Sequence, residues 1–389
     1  MRQRPVLAAL ACAWLLAVMP VAAQQRPYYP DAAPAWERRR PAEVGMDSVA
    51  LQRAVAYALA NPSGLLGTKT VEEAIARQER SLAAMNEPDP RVIGPFMVHK
   101  NVNGLIIRRG YIVAEFGDTR FVDLTASLSK SILSLAAGVT FDQGLIHHVD
   151  DRVGDYVRDG GFDSPQNAAI TWRQLLQQTS GWEGTLWGKP DLNDRRTRRD
   201  PTTPLQAPGT FWDYNDVRVN RLALSLLRVW QRPLPQVLDD YVMKPIGASP
   251  TWEWHGYDNS WVTIRGVQVQ SVSGGAHWGG GFWVSAEDLG RIGLLYLRNG
   301  RWKDRQILSP EWIRMSVTPA ELRPDYGFLW WLNTDQRMAR NSPASGYAMR
   351  GGGGFYCWID PVNDLVIVVK AMGGNLGEFV DLVVASVRR

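Results

Sequence analysis

The sequence predicts a mixed α/β fold of the α+β kind, with one sheet drawn from both ends of the chain and a helical stretch between them. Three observations carry this. Short β-rich runs flank a turn near residue 109 and again near residue 362, and helical periodicity fills much of the chain between them. Composition is the third: over 389 residues, 45% are apolar and 21% are charged, as in a packed globular protein. This excludes a disordered, collagen-like or disulfide-scaffold chain. The formal net charge of +4 is too small to point at nucleic acid as a partner. Of 17 Trp, ten lie between Trp172 and Trp283, which predicts aromatic walls or core filling in the middle of the chain.

The elements follow in order. Residues 1–23 combine a basic start, an apolar run of about eighteen residues and Val-Ala-Ala before a polar stretch. This reads as a cleaved secretory signal with the cut after Ala23. The competing reading is an uncleaved anchor, which Pro20 and the small residues near the run's end disfavour. The expected location is periplasmic or secreted. No later stretch reaches eighteen uninterrupted apolar residues, so no membrane contact is expected after cleavage. Residues 24–45 are Pro-rich and expected to be extended, and 46–389 form the main domain.

Within that domain, LQRAVAYALA and VEEAIARQERSLAAM carry helical spacing. NGLIIRRGYIVAEFGD reads as a hairpin turning at Arg109-Gly110. SLSKSILSLAAGVTFDQG reads as a helix, with Leu128, Ile132, Leu135 and Val139 on one face. Residues from about 150 to 270 are expected to be a helical insertion with polar loops, including the basic run 194–200. Ser285 is a candidate N-cap for SAEDLGRIGLLYLRNG. FYCWIDPVNDLVIVV predicts a second hairpin, and a final helix is expected from about Glu378. Cys357, the one Cys after the signal, has no partner for a disulfide and reads as a small apolar strand residue.

Several chemistries are missing from the sequence: there is no GxSxG elbow, no phosphate-binding GxxxxGK[ST] loop and no HExxH pair. The adjacent His147 and His148 cannot converge on one metal ion, so no metal site is expected. What remains is Ser127-Leu-Ser-Lys130. At a spacing of three on a helix, both side chains share one face. A Ser that opens the helix sits in its positive end, which favours a developing alkoxide, and burial would make the Lys amine a usable base. By itself this pattern is equally an N-cap Ser beside a surface Lys.

Its companions are TSG (179–181), PGTFWDYNDVRVN (208–220), GGGFWVSAEDLGRIG (279–293), YGFLWW (326–331) and RGGGGFYCWIDPVNDLVIVV (350–369). In this order the segments resemble the serine β-lactamase and penicillin-recognising superfamily. The nearest likeness is to class C β-lactamase-related serine hydrolases, among them esterases and 6-aminohexanoate-dimer hydrolase, over about residues 40–389.

The resemblance implies a β-lactamase/transpeptidase-like fold: an antiparallel sheet sandwiched by helices, plus a helical domain, with the site in the cleft between. It implies Ser127 as nucleophile, with Lys130 and Tyr214 handling its proton, and no cofactor. The family's Tyr-x-Asn falls on Tyr214-Asn215-Asp216, where the third residue is Asp. An ionised Asp216 beside Lys130 would raise the amine's pKa. Either Asp216 points elsewhere, or Tyr214 carries more of the base role. The family's Lys- or His-Thr/Ser-Gly triplet is replaced by Arg350 and the glycines 351–354. There the N–H of Gly352 or Gly353, with that of Ser127, is the candidate oxyanion hole, and Arg350 is a candidate anion contact. Trp182, Trp187, Trp212, His277 and Trp278 are candidate pocket walls. The implied activity is hydrolysis of a small-molecule ester or amide through an acyl-serine. The alternatives are a D-alanyl carboxypeptidase or β-lactamase, and a sensor of penicillin or cell-wall peptide that does not turn over.

Overall fold

The computed structural model describes residues 27–83, 91, 93–95, 98–193, 206–275 and 281–388. The proposed signal and the basic run 194–200 lie outside them. The chain enters through an irregular segment that touches the sheet at one bridge, Arg38 to Ile112. Helices α1 (Ser48–Ala60) and α2 (Val71–Ala83) follow where the periodicity places them. Asp47 caps α1 by accepting hydrogen bonds from the N–H groups of Val49 and Ala50.

Next come β1 (Asn103–Arg108) and β2 (Tyr111–Phe116), an antiparallel pair turning at Arg109-Gly110. The short β3 (Asp123–Leu124) leads through a 3-10 turn, Ala126–Leu128, into α3 (Ser129–Asp142). The stretch 150–270 holds the short helices α4 (Val153–Tyr156) and α5 (Trp172–Leu176), then the two-residue strands β4 (Thr185–Leu186) and β5 (Lys189–Pro190). It continues with α6 (Asp216–Trp230) and α7 (Leu234–Leu238). At its end lies a long hairpin, β6 (Glu253–Ile264) and β7 (Val267–Val272), which the helical reading did not anticipate.

After β8 (Gly281–Val284), α8 (Ala286–Leu297) is capped by Ser285, whose Oγ accepts from Asp288 N–H at 3.0 Å, as the sequence suggests. The ribbon β9 (Arg301–Trp302) and β10 (Arg305–Gln306), helix α9 (Pro310–Ser316) and strand β11 (Trp331–Leu332) complete the approach to the last hairpin. That region contains β12 (Tyr347–Gly351), β13 (Phe355–Asp360) and β14 (Leu365–Lys370). The final helix, α10 (Leu376–Ala385), starts just before the expected Glu378, because Asn375 caps the N–H groups of Gly377 and Glu378.

The main sheet is antiparallel, in the order β11-β12-β13-β14-β1-β2, so both ends of the chain do build one sheet. A second antiparallel sheet runs β3-β8-β6-β7. The central strands β1 and β14 are buried on both faces, which is why they read as continuous apolar runs. Alternate residues go to opposite layers. Leu105, Ile107, Val366 and Val368 join the core that includes α3, α6 and α8. Ile106, Ile367 and Val369 join the core under α1 and α10. The sheet is therefore sandwiched by helices, in the β-lactamase/transpeptidase-like manner. Cys357 is buried in β13, and burial pushes its thiol well above the usual range.

Lys370 ties the two sheets together at the root of the Ser127 turn. Its fully buried Nζ donates to the carbonyls of Phe121 (2.9 Å) and Val284 (2.8 Å). Burial pushes its pKa down to about 8, against the raising influence of Asp123, Asp118 and Asp288. Lys370→Met removes both contacts, though Val284 O keeps its place in the ladder with Asp123, and urea unfolding should show a loss of about 1–3 kcal/mol. Below pH about 8, folded and unfolded chains both hold this proton. Between about 8 and the ordinary 10.5 the unfolded chain holds more of it, so Lys370 makes stability rise with pH there. The Met variant should lack that rise.

Candidate active site

The site starts from the turn between β3 and α3. Thr125 fixes the turn to β8: its N–H and Oγ1 both donate to the carbonyl of Phe282, at 2.9 and 2.7 Å. Ala126 then takes a left-handed backbone, φ 49°, an uncommon conformation for a residue with a side chain. Ser129 locks this geometry, its Oγ donating to Ala126 O (2.8 Å) and accepting from Phe282 N–H (3.0 Å). Ser127 thus sits half-buried in a 3-10 turn at the start of α3, where the helix end favours negative charge on its Oγ.

One turn on, Lys130 is buried. Its Nζ donates to Ser127 Oγ at 3.1 Å and to the carbonyl of Gly275 at 3.2 Å. It lies 2.5 Å from Asp216 Oδ1 and 4.5 Å from the centre of the Tyr214 ring. Burial works to lower the Lys130 pKa, but Asp216 and Tyr214 together outweigh it and leave the ammonium favoured. Of the two alternatives for Asp216, the structure holds the one in which it faces Lys130. Gly275 permits this approach, since a Cβ there would lie 2.7 Å from the Asp216 Cβ.

Tyr214 is held from both sides along the chain. Asp213 pairs with Arg218 at 2.7 Å, and Arg218 also binds Asp191 (2.9 Å) and the carbonyl of Trp182 (2.9 Å). Asn215 is the N-cap of α6: its Oδ1 accepts from Arg218 N–H and its Nδ2 donates to Asp191 O. Its own N–H donates to Gln178 Oε1, while Gln178 Nε2 donates to the Tyr326 hydroxyl. Asn215, a candidate substrate contact by sequence, is thus buried as a positioning residue. The Tyr214 ring packs among Trp331 (5.8 Å), Trp212 (6.1 Å) and Tyr326 (6.3 Å). Trp212 therefore stands beside the proposed base. Trp182 is buried, with its indole N–H donating to Gly161 O, and anchors the loop rather than lining open space. Trp187 is half-buried, and its carbonyl accepts from Asn259. His277 and Trp278 lie outside the described residues.

On the facing side, the end of β12 closes against the Ser127 turn. A Cβ on Gly351 would overlap Thr125 O, with Leu128 N 3.2 Å away. Gly352 follows with no described atom within 4 Å of where its Cβ would point, and Gly353 has φ +90°. Gly351→Ala should push the strand off the turn. We expect at least about tenfold lower kcat/KM with a destabilisation of roughly 1–3 kcal/mol, read by ester kinetics and urea unfolding. Arg350 goes the other way. Its strand neighbours Met349 and Gly351 face α3, whereas Arg350 stacks over Trp331 (5.2 Å) and Tyr356 (5.8 Å) on the α10 side.

Several supporting residues have no sequence signal of their own. Asp191 and Arg218 are separated by 27 positions, yet form one buried network. Asn220 accepts from both Gly274 and Gly275 N–H, fixing the carbonyl that Lys130 uses. Gln178 was adjacent to a visible cue, the TSG at 179–181, and its left-handed backbone (φ 57°) marks a tight bend there. Among the described residues no cluster of His, Cys, Asp or Glu is suited to a metal ion.

Comparison with known proteins agrees with this arrangement of elements. The model of the Beta-lactamase family matches residues 110–379. A protein of Escherichia coli O157:H7, provisionally assigned as a D-alanyl-D-alanine carboxypeptidase, is 21% identical over 64% of this chain and 68% of its own. Among solved structures, a provisionally assigned beta-lactamase from Bacteroides dorei DSM 17855 superposes with a TM-score of 0.57 at 16% identity, covering 74% of this chain and 93% of that one. A family VIII carboxylesterase gives 0.55 at 16% identity, covering 80% and 96%.

Proposed function

The chain belongs to the beta-lactamase family, and from that premise we propose that it is a serine hydrolase that cleaves an ester or small amide through an acyl-serine on Ser127. The observation that carries the assignment of residues is the 3.1 Å contact between Ser127 Oγ and a buried Lys130 that also touches Asp216 and Tyr214.

Ser127 Oγ attacks the substrate carbonyl carbon as its proton passes to the Lys130–Tyr214 pair. The two side chains hydrogen-bond one another and act as one unit, which must first have lost a proton. The N–H groups of Ser127 and Gly352 hold the tetrahedral oxyanion, the helix end of α3 adding to the field. The pair returns the proton to the leaving alcohol or amine. Water, deprotonated by the same pair, then releases the acid and restores Ser127. No cofactor enters these steps.

Substrate preference follows from the facing strand. It carries no Lys- or His-Thr/Ser-Gly triplet, and Arg350 is directed to the α10 side. β12 therefore places no Lys or His side chain opposite Ser127, which supports a neutral acyl group over a penicillin. The likeness to a protein assigned as a D-alanyl-D-alanine carboxypeptidase favours a second reading, in which the acyl group is a peptide. The signal-like start supports a periplasmic or secreted site of action.

Intact-mass spectrometry separates these readings. The protein is incubated with a p-nitrophenyl ester, a 6-aminohexanoate dimer and a penicillin. Steady loss of ester or dimer with little trapped adduct is the expected result. A lasting adduct from penicillin alone moves the assignment to a peptidase or a sensor.

A further inference from the structure

We propose that the cavity between the β12–β13 strands and α10 is a second site, which binds a ligand carrying at least two phosphate or carboxylate groups. It lies on the face of the main sheet opposite Ser127. The cavity measures about 980 Å³, and Arg337, Arg340 and Arg350 are among the residues that line it.

The charges in this cavity are not equally committed. Asp381 is hydrogen-bonded by its neighbours: it accepts from Asn341 N–H, Asn341 Nδ2 and Ser342 Oγ. Glu378 accepts from the Tyr57 hydroxyl at 3.0 Å. The N-terminus of α10 is already closed by Asn375, so the helix end adds no open donors. The arginines are different. Arg350 has no carboxylate partner among the described residues, and both its contacts are with ring faces, Trp331 and Tyr356. Ring faces do not use up the guanidinium's N–H donors, which a planar or tetrahedral oxyanion can receive in two bonds. Arg340 is exposed and also has no carboxylate partner among the described residues. Arg337 has only a loose contact, 3.7 Å, with an exposed Asp335. Three guanidiniums outnumber the two carboxylates, Glu378 and Asp381, that line the same concavity, and so attract a ligand with more than one negative group. A ligand there also rests against Arg350, one residue from Gly351 and its contact with the Ser127 turn.

Calorimetric titration of the full chain at low salt with inorganic pyrophosphate, and separately with citrate, tests this. Binding of either is expected, weakening as salt is raised. Pyrophosphate alone identifies a phosphate ligand, citrate alone a carboxylate one, and binding of both the shared oxyanion chemistry. The Arg340→Gln/Arg350→Gln variant should lose at least about tenfold in affinity, and so, to a smaller extent, should Arg340→Gln alone, an exposed change that leaves the core intact. The proposal is overturned if neither anion binds, or if the double variant, folded by circular dichroism, binds as tightly as the parent. Because the readout is binding and not turnover, its failure leaves the hydrolase assignment untouched.

Discussion

Ser127→Ala should lower ester turnover by roughly 10³-fold or more while leaving the fold intact. The size follows from the mechanism. Without Oγ there is no acyl-enzyme, and only the oxyanion donors remain to act on bound substrate. The variant should still bind substrate, so KM should move far less than kcat. Stability should change little, because Ser127 is half-buried and the hydrogen bond its Oγ accepts from Lys130 is replaceable, Lys130 keeping Gly275 O and Asp216 as partners. A fluorophosphonate label on the parent, absent from the Ala variant by intact mass, would locate the reactive oxygen. Unchanged turnover in the variant would sink the assignment of Ser127.

Asp216→Asn should move the rising limb of the kcat/KM profile to lower pH and raise activity at neutral pH several-fold. The sign comes from three influences on Lys130. Burial disfavours the ammonium, and the Asp216 carboxylate and Tyr214 favour it, with the sum raising the pKa. Asn removes one of the two favouring influences and leaves burial in place. The Lys130–Tyr214 pair then gives up its proton at lower pH, whichever of the two groups carried it. An Asn is close to Asp in size, so the contact with Gly275 survives and a packing artefact is avoided. A Glu variant provides the control: it keeps the charge, so any loss there reports geometry. A limb that stays put in Asp216→Asn would show that the ion pair is not part of the proton route.

Much of the architecture was legible because it is local. The helix start at Ser285, both hairpins and the buried strands β1 and β14 each follow from residues within a few positions of one another. Caps, turn residues and apolar period act at that range. The β6–β7 hairpin was missed. The first half of β6, EWHGYDNS, carries polar residues at irregular positions and pairs with β8 only at its start, which hid the strand, although the turn at Arg265-Gly266 between WVTI and VQVQSV has the same local signal as Arg109-Gly110. The surroundings of Asn215 were hidden for a similar reason. Its neighbours in sequence suggest a catalytic triplet, while its actual partners are Asp191 and Gln178, 24 and 37 positions away.

By itself, then, the sequence determined which residue types were available for the chemistry: a Ser and a Lys one helical turn apart, a Tyr further along, and a glycine run to face them. A three-residue spacing on a helix fixes the meeting of Ser127 and Lys130 by backbone geometry alone. Tertiary structure decided their electrostatics. Whether Asp216 reached Lys130 depended on the close approach of Gly275 to α6, and whether Arg350 faced the nucleophile depended on strand phase. A shift of one residue along a strand turns a side chain to the opposite face. Phase and approach are set by packing across the whole sheet, and no spacing along the chain records them.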